Sequence, residues 1–237
     1  MLQSKKIQYQ ENQTTLEGYY AVDDSFSGKR PAVLVAHDWS GCNEFARDKA
    51  NKLAELGFVG FAIDMYGQGK LGETKEEKMA LIKPLMEDRT LLANRMLAAL
   101  NAVKSLEQVD STRIAAIGFC FGGLCVLDLA RVGADIRGVV SFHGLLMPPA
   151  NKKTEKTQAK ILALHGHDDP MVPAEEVAAF QAEMTAAHID WQMHIYGGTM
   201  HGFTNPQAND PGFGTLYNAL ADKRSWRVAK DFLTEIF

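Results

Sequence analysis

The chain has 237 residues, 46% of them hydrophobic, which suits one α/β domain and excludes a disordered chain. Its formal net charge of −4 lacks the basic face that non-specific nucleic-acid binding requires. Met1 to Tyr9 is polar and followed by no apolar h-region, and no run of about 18 apolar residues occurs anywhere. Neither a signal peptide nor a membrane span is therefore expected.

The elements follow a strand–helix rhythm. Ile7 to Val22 is rich in β-favouring residues and reads as a hairpin. Pro31 to His37 is a compact apolar run, suited to a strand buried on both faces of a parallel sheet. Asn43 to Leu56 has helical spacing and ends at Gly57. Phe58 to Ile63 is the next buried strand, followed by a glycine-rich loop from Asp64 to Gly72. Glu73 to Leu106 is helical in pattern, with a break expected near Pro84. Arg113 to Ile117 is a third central strand. It leads into Gly118-Phe119-Cys120-Phe121-Gly122-Gly123 and then a helix from Leu124 to Arg131. Ile136 to Phe142 and Lys160 to Leu164 read as further strands, separated by a polar loop from Met147 to Gln158. A helix over Ala174 to Ala187, a strand over Trp191 to Tyr196 and a closing helix over Leu216 to Ile236 complete the order. No linker marks a second domain. The expectation is a single α/β domain, mostly parallel, with helices on both faces of the sheet.

The three cysteines are Cys42, Cys120 and Cys125. Their odd number, without a secretion signal, fits free thiols in a reducing compartment. Cys120 and Cys125 lack the C-x-x-C spacing of zinc or redox pairs, and no histidine has convincing metal-ligand spacing.

The strongest local pattern is Gly118-Phe119-Cys120-Phe121-Gly122, a G-x-nucleophile-x-G turn between an apolar strand and a helix. Such a turn is sharp, and glycines remove the Cβ atoms that would collide across it. It places Cys120 at a helix N-terminus, where the dipole favours a thiolate, and aims the N–H of Phe121 at an oxyanion. The bland alternative is a buried, inert cysteine. Cys125, inside the helix, reads as core.

A nucleophile of this kind needs an acid and then a histidine later in the chain. The turn His165-Gly166-His167-Asp168-Asp169-Pro170 supplies Asp169 as the acid, with Asp168 as the fallback. The Gly-flanked loop Gly197-Gly198-Thr199-Met200-His201-Gly202-Phe203 supplies His201 as the base. His37 ends a strand at the expected active-site edge and is a candidate lining residue. His143, His165 and His167 read by default as satisfied structural histidines.

On these residues the sequence resembles the dienelactone hydrolase family of α/β-hydrolases. The likeness also includes Asp64-Met65-Tyr66-Gly67 and Val139-Val140-Ser141-Phe142-His143-Gly144, and runs from about Leu16 to the C-terminal helix. The resemblance implies an α/β-hydrolase fold and cytoplasmic, cofactor-free and metal-free hydrolysis of a small ester or lactone through a thioester. It also implies that Asp38 stands where members commonly have a glutamate that helps deprotonate the thiol. The next residue, Trp39, would supply the second oxyanion N–H. Asp38 is one methylene shorter than that glutamate. Members that bind a substrate carboxylate do so with arginines. Just beyond His201 this chain has Phe203, Thr204 and Asn205 and no arginine; Arg89 lies in the region of the other arginine. His37, Phe203, Asn205 and Arg89 are accordingly the candidate substrate-binding residues. General esterase action on simple esters, a non-catalytic ligand-binding role and a thiol redox sensor built on Cys120 stay open as alternatives. No nucleic-acid or membrane partner is implied, and the oligomeric state is left open.

Overall fold

The computed structural model describes residues 1–150 and 154–237. The chain divides into two compact units, Met1–Ile117 and Gly118–Phe237.

In the first unit, β1 (Leu2–Glu11) and β2 (Thr14–Asp23) form the expected hairpin, with Asn12 at φ 49° in its tight turn. Strand β2 pairs antiparallel with β4 (Val59–Ala62), and β4 pairs parallel with β3 (Arg30–Ala36), giving the order β1-β2-β4-β3. Every residue of β3 and β4 is buried, which explains their apolar runs after Arg30 at the start of β3. Between them, α1 (Glu44–Glu55) begins at Asn43, whose side chain accepts the N–H of Ala46.

The break expected near Pro84 lies further along. Helix α2 (Lys75–Glu87) starts on a capping box of Thr74 and Glu77 and runs through Pro84. Pro84 and Ala80, whose carbonyl loses its helical donor, are both exposed, so the loss falls where solvent can offset it. The chain turns instead at Asp88, whose carboxylate accepts the N–H groups of Thr90 and Leu91 at 2.9 and 3.0 Å and so caps α3 (Arg89–Lys104).

Strand β5 (Val109–Phe119) continues from the first unit into the second and is longer at both ends than expected. Helix α4 (Phe121–Arg131) follows directly. The second unit then carries β6 (Gly138–Phe142), β7 (Lys160–Gly166) and β8 (Trp191–Tyr196), parallel and in that order, with α5 (Ala174–Ala186) between the last two. A small antiparallel pair, β9 (Asn209–Asp210) and β10 (Thr215–Leu216), was not foreseen. Helix α6 (Ala219–Ile236) closes the chain. Part of the polar loop from Met147 to Gln158 lies outside the described residues. Among the described residues, no helix is long and apolar enough to cross a membrane.

Candidate active site

The turn from β5 into α4 has the conformation its sequence requires. Cys120 sits at φ 54°, ψ −117°, a strained backbone for a residue with a side chain. A Cβ on Gly118 would lie 2.0 Å from the carbonyl oxygen of Gly122, so only glycine fits there. One on Gly123 would lie 2.6 Å from both Gly144 Cα and Ser141 Oγ, so the start of α4 is pressed onto the end of β6. Cys120 is the N-cap of α4, with no side-chain capping bond, and is half-buried, whereas Cys125 is fully buried.

The acid turn follows β7. Of the two aspartates, Asp169 is buried and Asp168 is exposed. Asp169 uses both oxygens: Oδ1 accepts the N–H of Met171 at 2.8 Å, and Oδ2 accepts Nδ1–H of His201 at 2.8 Å. The Met171 bond fixes the carboxylate's orientation before it meets the imidazole.

His201 lies on the loop after β8 and is 1% exposed. The β9–β10 hairpin holds this loop: the His201 N–H donates to the Gly214 carbonyl, and the His201 carbonyl accepts from Leu216, both at 3.1 Å. Gly214, at φ 89°, has no room for a Cβ, which would lie 2.2 Å from Pro170 Cγ. The hairpin that carries the histidine is thus packed against the turn that carries the acid. Asn218 joins in, donating to Thr199 Oγ1 at 3.2 Å while its oxygen caps α6.

The other imidazole nitrogen, Nε2, is buried and, among the described residues, has no hydrogen bond of ordinary geometry, although it interacts with the Cys120 side chain. A buried polar atom left unpaired is uncommon and calls for a reason. Burial alone would lower the His201 pKa. The charge of Cys120, the largest effect in the other direction, hydrogen bonding to Asp169 and to Cys120, and the charge of Asp169 outweigh it and push the pKa up to about 10. The imidazole is thus tied to Asp169 on one side and electrically coupled to Cys120.

His143, at the end of β6, does more than the structural role its sequence context suggests. It is 2% exposed and has φ 39°. Its Nδ1 accepts the N–H of Cys120 at 3.1 Å, which makes Nε2 the protonated nitrogen, donating to Thr204 Oγ1 at 2.8 Å. Its ring meets those of His201 and Phe203 edge-on, with centroids 5.2 and 5.0 Å away.

The remaining sequence candidates fall into two groups. Phe203 and Asn205 are in the second unit. Phe203 is completely buried against His143 and Tyr196, so it shapes the histidine loop and offers no surface to a substrate. Asn205 is half-buried, its side-chain oxygen accepting the N–H of Gln207 in a turn. His37, Asp38, Trp39 and Arg89 are in the first unit. His37 is fully buried and is not a lining residue. Its Nδ1–H donates to the Asp38 carbonyl and its Nε2 accepts the N–H of Met65, with the ring edge-on to Tyr66. Asp38 Oδ1 accepts the N–H of Ser40 at 2.8 Å, a turn-forming bond that occupies one oxygen of the carboxylate. The carbonyl of Trp39 accepts the hydroxyl of Tyr66 at 2.8 Å, and Lys78 lies over its indole. Arg89 is the first residue of α3 and is half-buried.

The segment from Asp64 to Gly67 also acquires a physical role. The buried Asp64 carboxylate accepts four backbone N–H groups, from Glu17, Tyr66, Gly67 and Gly69, and so fixes the loop after β4. Among the described residues, no three His, Cys, Asp or Glu side chains converge closely enough to hold a metal ion. Cys42 is buried, and burial pushes its thiol up to about 11, so it is a poor resolving partner for a redox sensor.

The family model of the dienelactone hydrolases matches residues 16–237. The chain belongs to the dienelactone hydrolase family. It is 36% identical to a solved structure of P91, a dienelactone hydrolase-like promiscuous phosphotriesterase from metagenomic libraries, with TM-score 0.96 over 100% of this chain and 99% of that one. Among curated proteins it is 29% identical over 211 residues to a Bradyrhizobium sp protein named as a probable 2-oxo-3-(5-oxofuran-2-ylidene)propanoate lactonase, covering 84% of this chain and 82% of that protein. The fold extends to more distant proteins, such as the α/β hydrolase MGS-M1 from a deep-sea metagenome library, at 18% identity and TM-score 0.71 over 98% of both chains. This dienelactone hydrolase family member therefore has the α/β-hydrolase fold, with a mostly parallel sheet, and is a hydrolase of the ester and lactone class.

Proposed function

We propose that this family member cleaves activated carboxylic esters and lactones by two-step acyl transfer, with Cys120 as nucleophile, His201 as base and acid, and Asp169 as its orienter. One observation carries the reading. The buried His201 imidazole is anchored to Asp169 at 2.8 Å through Nδ1, while Nε2 has no other partner of ordinary geometry among the described residues and Cys120 raises the pKa of the ring. That is the disposition a proton shuttle for a thiol requires.

In the first step the Cys120 thiolate bonds to the carbonyl carbon. The resulting oxyanion is held by the N–H of Phe121 and, by the family resemblance, that of Trp39. The tetrahedral adduct collapses, the C–O bond breaks and the imidazolium of His201 protonates the departing alkoxide. In a lactone this alkoxide remains attached as the hydroxyl end of the acyl group. In the second step His201 takes a proton from water, hydroxide adds to the thioester carbonyl, and the thiolate leaves. Thiolate is a good leaving group, which suits esters, enol-lactones and thioesters and disfavours amides. Asp38 is the proposed thiol-activating carboxylate, on the resemblance alone. Because Asn205 cannot neutralise a carboxylate, simple and aryl esters are the favoured substrates over carboxylate-bearing enol-lactones.

Hydrolysis of an aryl acetate and of a carboxylate-bearing enol-lactone, measured before and after iodoacetamide treatment and in Cys120→Ala and His201→Ala, tests this. Activity untouched by alkylation and by both substitutions sinks the mechanism, and a purely ligand-binding protein turns over neither substrate. A second reading rests on the likeness to P91 along the whole chain. In it, the same thiolate attacks phosphorus in an aryl phosphotriester and expels the aryloxide. Release of the phenol from a dialkyl aryl phosphate, lost in Cys120→Ala, is its test.

A further inference from the structure

We infer that His143 is a positioning residue for the acyl-transfer step, holding the nucleophile turn and the histidine loop in one fixed register; this rests on the mechanism proposed above. Three segments distant in sequence meet at its ring. The turn contributes the Cys120 N–H, which His143 Nδ1 accepts at 3.1 Å. The histidine loop contributes Thr204 Oγ1, which receives Nε2–H at 2.8 Å, and the edges of His201 and Phe203. The residue itself stands at the end of β6, where the backbone approaches α4 so closely that a Cβ on Gly144 would lie 2.8 Å from the Gly123 backbone.

Two features separate this from ordinary core packing. His143 has φ 39°, a left-handed conformation that is strained outside glycine and is kept where the surroundings enforce it. Its two ring nitrogens also do different jobs. The Cys120 N–H has a second acceptor, the Phe142 carbonyl at 3.0 Å, so the bond to Nδ1 is reinforced by a neighbour. The bond from Nε2 to Thr204 fixes a residue three positions after the catalytic base, and it is the ring's hydrogen bond to that loop. The Thr204 side therefore transmits the positioning effect. The bond pattern also requires the neutral Nε2–H form, because a second proton would set Nδ1–H against the N–H of Cys120.

The experiment compares His143→Leu, His143→Asn, His143→Gln and Thr204→Val in aryl ester hydrolysis, with thermal melts and Cys120→Ala and His201→Ala as controls. Asparagine keeps an acceptor near the place of Nδ1, and glutamine keeps a donor near the place of Nε2. Misplacing reacting groups by about 1 Å costs on the order of a hundredfold. His143→Leu is therefore expected to lose roughly ten- to a hundredfold in kcat, with KM within about threefold. Glutamine is expected to restore more of kcat than asparagine. Thr204→Val should reproduce the leucine phenotype, with little further loss in the double variant. Wild-type kcat in folded His143→Leu, with Cys120→Ala and His201→Ala inactive, overturns this inference and leaves the mechanism standing. Activity in the two controls overturns the mechanism itself. If His143→Leu does not fold, Thr204→Val decides, and a kcat loss no larger than its unfolded fraction counts against the inference.

Discussion

Replacing Asp169 by asparagine isolates what the carboxylate does for His201. The aspartate satisfies two donors at once, Met171 N–H and His201 Nδ1–H, each at 2.8 Å. Asparagine has one oxygen. If it stays on Met171, the amide NH₂ faces Nδ1 and forces the proton to Nε2, the wrong tautomer for accepting a proton from Cys120. If the amide turns over, its NH₂ opposes the Met171 N–H inside a buried turn. Either way one charge-assisted bond is lost, worth about 1.5–3 kcal/mol, or about ten- to a hundredfold in stabilising the imidazolium. Adding the tautomer error, kcat/KM for an aryl acetate is expected to fall by about 10³–10⁴. The assay is steady-state aryl acetate hydrolysis beside circular dichroism and a thermal melt, so that unfolding is separated from lost chemistry. A folded Asp169→Asn enzyme within about threefold of wild-type kcat/KM would refute the reasoning, since no wrong-tautomer histidine could sustain that rate.

Three further outcomes are expected. In Cys120→Ala, burial still disfavours a charged His201 while the largest opposing effect is gone, so an NMR titration should find its pKa well below 10; no change would mean the cysteine does not face the ring. Gly118→Ala places a Cβ 2.0 Å from a backbone oxygen that cannot move aside, and should abolish activity and cost more than about 3 kcal/mol in urea unfolding; a loss under about 0.5 kcal/mol would show that the turn can relax. Burial also lowers the pKa values of His37 and His165 from the ordinary 6.5, so the unfolded chain takes up protons first. Below pH 6.5, where His201 with its pKa raised to about 10 is protonated in the folded and increasingly in the unfolded state, stability should fall with pH by up to about 1.4 kcal/mol per unit for each of these two histidines, and a flat denaturant midpoint between pH 6.5 and 5.5 would contradict this.

What could be read from the sequence was whatever neighbours in the chain decide. The buried strands announce themselves because β3 and β4 have no exposed position to break the apolar run. The nucleophile turn is legible because the collision that selects Gly118 involves a residue only four positions away. Pro84 misled for the converse reason: a local rule placed a break at the ring, but its exposure lets the helix continue to the cap at Asp88. His37 likewise sits at the strand end where a lining residue was expected, yet Met65 and Asp38 take both of its nitrogens.

The parts that hold Asp169 and His201 together depend on contacts that no local pattern carries. Gly214 is glycine because Pro170 lies against it, 44 positions earlier, and nothing around residue 214 announces that partner. The link from His143 to Thr204 spans 61 positions in the same way. Such contacts fix the distance between groups whose identities are set locally. A sequence pattern can therefore nominate Cys120, Asp169 and His201 while remaining silent on how firmly they are held. In the proposed mechanism reactivity depends on that firmness, because an imidazole anchored to Asp169 keeps Nε2 directed without losing orientation at each turnover. Substrate choice follows different rules. In the proposed mechanism it depends on side chains around the reacting carbonyl, which can change while the fold stays intact. At Asn205 the side-chain oxygen accepts the Gln207 N–H, a bond an arginine could not make, so the residue serves its own turn and carries no charge. The chemistry is therefore constrained by the fold far more tightly than the substrate is.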